Sequence, residues 1–312
     1  LNEKVTGLKK KDASFLIETT KAKYETKMVI NAAGIHCDEI DQLLHQPSFT
    51  IRPRRGEYVV LDHLDQPYVS HVLFSVPTKF GKGVLFTPTT HDNYLIGPTS
   101  DFIDDKEDVS TDVNVIQMVS QKANRLVTNI PYHKMIRQFA GLRAVSDTDD
   151  FIVEETSPGF INVAGIQSPG LVSAPAIALD VVQMVKSRLV TTENPNYQPR
   201  RRKVIRFQDV SPAEKRNFIE KDPRFAHIVC RCEQVSEGEV LDGIHRNCGA
   251  TTIKGVKKRS RPGSGKCQGG FCEPLIINIL ARELGKQPTE IEYARAGSFI
   301  LQKRLGGSDE NS

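Results

Sequence analysis

A chain of 312 residues with a formal net charge of +4, 26% charged and 38% hydrophobic residues has the balance of a globular protein, long enough for one large domain with a smaller companion. It contains no apolar run approaching the ~20 residues of a membrane span and opens on no signal peptide. Its basic clusters at 200–203 and 257–259 lack the interleaved aromatic residues of a nucleic-acid platform, so the expectation is a cytoplasmic protein with no transmembrane segment and no nucleic-acid partner.

Residues 1–10 read as the interior of a sheet-forming region. The chain begins with Leu1 rather than Met, so a fragment whose front end lies upstream is expected. β-branched, partly alternating runs at 15–19 and 23–30 predict strands, the second entering the turn Asn31-Ala32-Ala33-Gly34. Ile40, Leu43 and Leu44 predict a short helix over 35–44, stopped by Pro47. Runs at 58–61, 72–76, 84–87 and 94–96, separated by Gly, Pro, Asp and Asn, predict an antiparallel sheet. An amphipathic helix is expected over 109–127, then strands at 136–142, 151–154 and 160–163. Ser173 is expected to cap a helix with Pro175 in its first turn and Ile177, Val181, Val185 and Leu189 on one face. Residues 191–226 are polar, basic and Pro-containing and read as a surface linker with one helical candidate at 212–220. Beyond 227, helices are expected over 237–245 and 274–284, and 291–312 as a tail.

Five of the six cysteines fall in the last third, four of them at ligand-like spacings. Cys230-Arg231-Cys232 is followed, after 34 residues, by Cys267-Gln268-Gly269-Gly270-Phe271-Cys272. Two close thiolate pairs match a 2Fe-2S cluster, in which each iron takes two protein sulfurs. Gly263, Gly265, Gly269 and Gly270 permit tight turns that aim amides at sulfur, and Lys266 adds positive charge beside an anionic centre. Spacing alone leaves structural zinc as a rival. Residues 227–285, with Val229-Cys230-Arg231-Cys232-Glu233 and the stretch 254–272, resemble the bacterioferritin-associated-ferredoxin-like domain, a small helical module. The resemblance implies Cys230, Cys232, Cys267 and Cys272 as ligands of a 2Fe-2S cluster, with electron transfer as its role. Cys37 and Cys248 read as inert buried thiols.

Met28-Val29-Ile30-Asn31-Ala32-Ala33-Gly34 is an apolar strand ending in small residues that admit a ligand close to the backbone. Gly165-Ile166-Gln167-Ser168-Pro169-Gly170-Leu171-Val172-Ser173 is a turn feeding a helix N-terminus, which presents amides to an electron-rich group. Together with Arg52-Pro53-Arg54-Arg55-Gly56-Glu57-Tyr58 and Phe139-Ala140-Gly141-Leu142-Arg143, these resemble the D-amino-acid-oxidase-type flavoproteins over residues 10–190. The likeness is to FAD-dependent glycerol-3-phosphate dehydrogenases and L-2-hydroxyglutarate oxidases. It implies Ala32, Ala33 and Gly34 beside the adenosine-diphosphate part of FAD, and Gly165, Ile166, Ser168, Gly170 and Leu171 against the isoalloxazine ring. Arg143 is then the candidate catalytic residue, gripping the anionic end of the substrate; a salt bridge is its plain alternative. No G-x-G-x-x-G precedes Asn31, so the phosphate-binding half of the flavin fold is expected upstream of Leu1, and this stretch alone is expected to bind FAD poorly or not at all.

The expected fold class is α+β: a partial FAD-binding α/β region with an antiparallel-sheet substrate domain over 1–190, a linker, and a small helical iron-sulfur domain with four cysteine ligands over 227–290. The expected function is oxidation of a small anionic secondary alcohol, foremost glycerol 3-phosphate, with electrons passed from FAD to the 2Fe-2S cluster and on to a redox partner protein or subunit. L-2-hydroxyglutarate or an amino acid such as proline are alternative substrates, and a regulatory, partner-binding module around a structural metal is the alternative of another class. His36, His63, His71 and His91 are all open as the general base.

Overall fold

A computed structural model describes residues 2–64, 68–77, 83–148 and 150–302. The chain divides into two compact units, Leu1–Tyr197 and Gln198–Ser312.

The first unit begins with an antiparallel meander of β1 (Val5–Lys11), β2 (Ser14–Thr19) and β3 (Lys23–Thr26). The run expected as one strand over 23–30 is broken after Thr26, whose hydroxyl donates to Met28 O at 3.0 Å. Beyond the break, β4 (Val29–Asn31) joins a different sheet. A 3-10 turn at Gly34–His36 leads into α1 (Cys37–Gln42), shorter than expected. There follow β5 (Ile51–Leu61), β6 (Leu73–Phe74), β7 (Leu85–Pro88), β8 (Tyr94–Gly97), β9 (Asp101–Phe102), α2 (Val113–Ala123), β10 (Met135–Ser146), β11 (Ile152–Ser157), β12 (Phe160–Ala164) and α3 (Gly170–Arg188).

The larger sheet runs β10-β5-β8-β7-β6, with β9 also on β5, and its pairs are antiparallel. One face of it packs against α2. Asp112 caps that helix, accepting from Asn114 N at 2.7 Å, and Val119 and Ala123 bury against Val59, Leu61, Phe86 and Ile96. Each such valine, leucine, isoleucine or phenylalanine side chain contributes roughly 1.5–3 kcal/mol on full burial. The remaining sheet, β11-β12-β4, pairs β12 with β4 in parallel, Ile161 opposite Ile30 and Asn162 opposite Asn31. The two asparagines are buried and hydrogen-bonded to each other at 2.8 Å, which locks the strands at one level.

α3 departs from expectation at both ends of the argument. It starts at Gly170 with Pro169 as N-cap, so Ser173 lies inside it and donates to Pro169 O at 2.8 Å, and Pro175 stands in its interior. It is also long and apolar enough, by length and composition, to cross a membrane, because Asp180 and Lys186 interrupt the apolar run without outweighing it. Leu171, Val172, Leu179 and Val182 are exposed.

In the second unit, α4 (Pro212–Lys221) sets Phe218 against Phe225, with ring centroids 5.1 Å apart, while β13 (Ile228–Cys230), β14 (Val235–Ser236), α5 (Glu237–His245), α6 (Ile253–Ser260) and α7 (Glu273–Leu284) surround one apolar cluster that includes Val240, Val256, Ile276 and Leu280. α4 and α5 start on reciprocal Ser–Glu caps, Ser211 with Glu214 and Ser236 with Glu239. The buried Glu239 also accepts from Phe207 N at 2.9 Å. Phe207 and Phe225 are buried, with ring centroids 5.8 Å apart. Residues 207–226 therefore fold with the C-terminal unit instead of forming the linker expected of them; their polarity masked two core aromatics. The expected tail is likewise tied down as far as it is described: Ile291 is buried, and Lys254 N donates to Tyr293 O at 2.8 Å. Residues 303–312 lie outside the described residues.

Candidate functional site

In a strand pair, residues directly opposite share a face and alternate residues join them. The β5–β10 register sets Arg54 opposite Arg143, Gly56 opposite Gly141 and Tyr58 opposite Phe139. One face of the sheet thus carries, in sequence, two guanidiniums, a gap without side chains and a stacked aromatic pair, whose centroids are 5.1 Å apart and planes 8° from parallel. Arg143 lies over the gap: a Cβ at Gly56 would stand 2.5 Å from its Nη2. Its Nη2 donates to Thr99 O at 3.3 Å. Burial pulls its pKa down and the neighbouring Arg54 adds to this, opposed by the Tyr58 hydroxyl. Arg54 Nη2 donates to Gln167 Oε1 at 2.5 Å.

Arg54 Nε and Arg143 Nη1 are both buried without a hydrogen-bond partner. Such a donor ordinarily costs about 1–3 kcal/mol, and two on facing cations make a site that an anion completes. The sequence pointed to Arg143 alone. Arg54 was missed, although the alternation in Arg52-Pro53-Arg54-Arg55-Gly56 could have separated it from Arg55, which turns away to Asp108 at 2.6 Å.

The two stretches expected to meet FAD come together. Ala32, Ala33 and Gly34 follow β4, and Gly165, Ile166, Ser168, Gly170 and Leu171 follow β12, so both leave the carboxyl ends of adjacent parallel strands, where open α/β sheets hold ligands. Ala32, Ala33 and Gly34 are exposed, and nothing lies within 4 Å of a Cβ at Gly34, whose φ is +61°. Gly165, with φ +66°, is dictated by the chain itself: a Cβ there would meet Asp150 O at 2.7 Å. Ser168 and Leu171 are exposed, and no side chain caps the first turn of α3, which leaves that helix end open to an electron-rich ring. Small residues on one edge and a free helix N-terminus on the other fit a flavin. Gln167 links this turn to Arg54.

The candidate bases are not gathered here. His36 contacts Glu39 at 3.1 Å and Glu107 at 3.2 Å, His71 and His91 lie against neighbouring hydroxyls, and His63 is exposed.

In the second unit the four expected cysteines do converge. Cys230 ends β13 and Cys272 precedes α7 as its N-cap, while Cys232 and Cys267 sit on the adjoining loops, their sulfurs 3.7 Å apart. Cys230 is drawn down to about 6, chiefly by the hydrogen bond from the Cys272 thiol, with the Gly263 and Glu233 amides assisting; the same bond pushes Cys272 up. Burial raises Cys267, but the Phe271 and Gly269 amides and the Cys232 thiol outweigh it and its pKa falls. Gly263 and Gly269 hold positive φ, +80° and +101°, and let these amides turn inward. The sulfurs form two pairs, Cys230 with Cys272 and Cys232 with Cys267. Two sulfur pairs are the ligand set of a binuclear cluster, each iron taking two. Cys248 is exposed, contrary to expectation, whereas Cys37 is buried and its thiol pushed up to about 11 by that burial.

Residues 1–184 match the family described as FAD dependent oxidoreductase, and residues 228–282 match the BFD-like [2Fe-2S] binding domain. A glycerol 3-phosphate dehydrogenase of Caloramator mitchellensis is 46% identical over 96% of this chain and 63% of its own length. The FAD-bound L-alpha-glycerophosphate oxidase of Mycoplasma pneumoniae superimposes with a TM-score of 0.58 at 31% identity, over 62% of this chain and 52% of that one. The glycerol-3-phosphate dehydrogenase of Bacillus halodurans, at 15% identity, shares the fold over 91% of this chain and 65% of its own, with a TM-score of 0.59. The chain spans less than two thirds of the length of the curated relatives it matches. It belongs to the FAD dependent oxidoreductase family and carries a BFD-like [2Fe-2S] domain behind the flavin-enzyme portion.

Proposed function

We propose that the protein is an FAD-dependent dehydrogenase of glycerol 3-phosphate, and that a redox partner or subunit receives its electrons. The observation that carries this is the cross-strand pair Arg54–Arg143 with two buried, unpartnered N–H groups beside Gln167. A phosphate dianion matches two facing cations in charge and can accept from both forks. The position at Gly141, where nothing lies within 4 Å of a Cβ, offers room for a three-carbon chain, and the Tyr58–Phe139 stack walls it. Arg54 and Arg143 bind and orient the anion; Gln167 keeps Arg54 on the flavin side. When bound, FAD supplies a hydride acceptor and the 2Fe-2S cluster a one-electron relay. Ala32, Ala33, Gly34 and residues 165–171 would hold the former, and Cys230, Cys232, Cys267 and Cys272 the latter. Relatives named for glycerol 3-phosphate support the substrate.

Anaerobic flavin bleaching in the holoenzyme by glycerol 3-phosphate, L-2-hydroxyglutarate and L-proline in turn is the test. Bleaching by the first, competed by inorganic phosphate and weakened by Arg54→Ala and Arg143→Ala, is expected. Preferential bleaching by either of the others refutes the assignment.

A further inference from the structure

We infer that the rim of the Cys232–Cys267 pair is the docking surface for an acidic, one-electron carrier protein. The inference rests on the reading that the four cysteines hold a 2Fe-2S cluster. Burial divides them: Cys230 and Cys272 are 1% exposed, whereas Cys232 is exposed and Cys267 half-buried. The second pair is therefore the solvent side of the site.

The charge around it is one-sided. Residues 231–234 and 254–273 contain seven lysines and arginines against two glutamates, and of these Glu233 is held by Arg261 at 2.9 Å. Arg231, beside Cys232, and Lys266, beside Cys267, are exposed, as are Lys258 and Arg259 on α6. Four thiolates bound to iron offset part of that charge, and the excess remains at the rim. Such a field steers and orients an acidic partner.

Phe271 supplies the second feature. It lies between the two ligands of the second cysteine motif, its amide hydrogen-bonds to Cys267, and its side chain is 81% exposed. The amide anchors the backbone to the sulfur and leaves the ring in water. An exposed aromatic inside a cationic rim has the makings of an interface anchor, with apolar area at the centre and charge around it. In the docked pair one electron leaves the reduced cluster and reduces the carrier by one, and no bond or proton moves.

The test uses the full chain with its cluster reconstituted and an acidic flavodoxin as the probe, titrated calorimetrically at low and high salt. We expect binding that salt weakens, and that Lys258→Glu with Lys266→Glu weakens on the order of tenfold or more. Phe271→Ser should weaken it without altering the salt dependence. The visible and electron-paramagnetic-resonance spectra should show the cluster assembled in all variants. Absence of flavodoxin binding, or an affinity indifferent to both salt and charge reversal, overturns the inference. Loss of the cluster reading would show separately, as a wild-type chain that takes up iron and sulfide without the spectrum, because calorimetry reports docking and spectroscopy the cluster.

Discussion

Gly56→Ala tests the anion site through a single methyl group. The added Cβ would stand 2.5 Å from Arg143 Nη2, 3.0 Å from its Cζ and 3.0 Å from Pro98 Cβ. The backbone accepts alanine here, since Gly56 is not among the residues with positive φ, and the tightest clash is with the mobile end of a long side chain. Arg143 must therefore lift away while the strand stays paired. Displacing one guanidinium from a bound phosphate forfeits a charge-assisted hydrogen bond, about 1.5–3 kcal/mol, or roughly 10- to 150-fold in affinity. Steady-state kinetics with glycerol 3-phosphate should show this loss in kcat/KM, inorganic phosphate should compete correspondingly less well, and the melting temperature should move little. Phosphate competition that is unchanged in a folded variant would refute the reasoning, because it would place the anion away from Arg143.

The remaining expectations concern the second unit and the buried groups. Phe225→Ala removes a buried ring that touches Phe218 and Phe207 and fills the space above Gly238. It should cost about 3–5 kcal/mol, read as a lowered melting transition of the cysteine-bearing unit; no change would mean that 198–226 is a linker after all. Replacing Cys232 or Cys267 by alanine should abolish the cluster spectrum, which titration of iron and labile sulfide checks directly. Burial raises the Glu237 carboxyl, but the His227 and Arg282 bonds, each 2.7 Å, hold it below its ordinary 4.5. Its stabilisation is present above 4.5 and lost as pH falls through the lower folded value. Glu237→Gln should flatten that acid limb of a stability–pH profile. Cys37, raised from 9.0 to about 11, contributes stability below pH 9 that is lost as pH rises toward 11. Iodoacetamide at neutral pH should spare it in the folded chain and label the exposed Cys248 instead.

Local chemistry made much of this protein legible in one dimension. The cysteine spacing with its glycines marked the iron-sulfur site because ligand pairs and tight turns lie within a few residues of each other. α5 was legible to the residue, and the structure shows Ser236 and Glu239 fixing its start. The small-residue turns at 32–34 and 165–171 were visible for the same reason, but their meeting was not: the parallel pairing of β4 with β12 joins segments about 130 residues apart. Arg54 escaped notice because its role depends on standing opposite Arg143, and only the β5–β10 register decides that. The polar stretch at 207–226 looked like a linker because two aromatic anchors carry no periodic signal; Glu239, accepting from Phe207 N, reveals its place only in three dimensions. Sequence determined which residues could perform the chemistry, since side-chain type and near spacing are local. Tertiary structure decided which of them act together, since long-range strand register and burial are not.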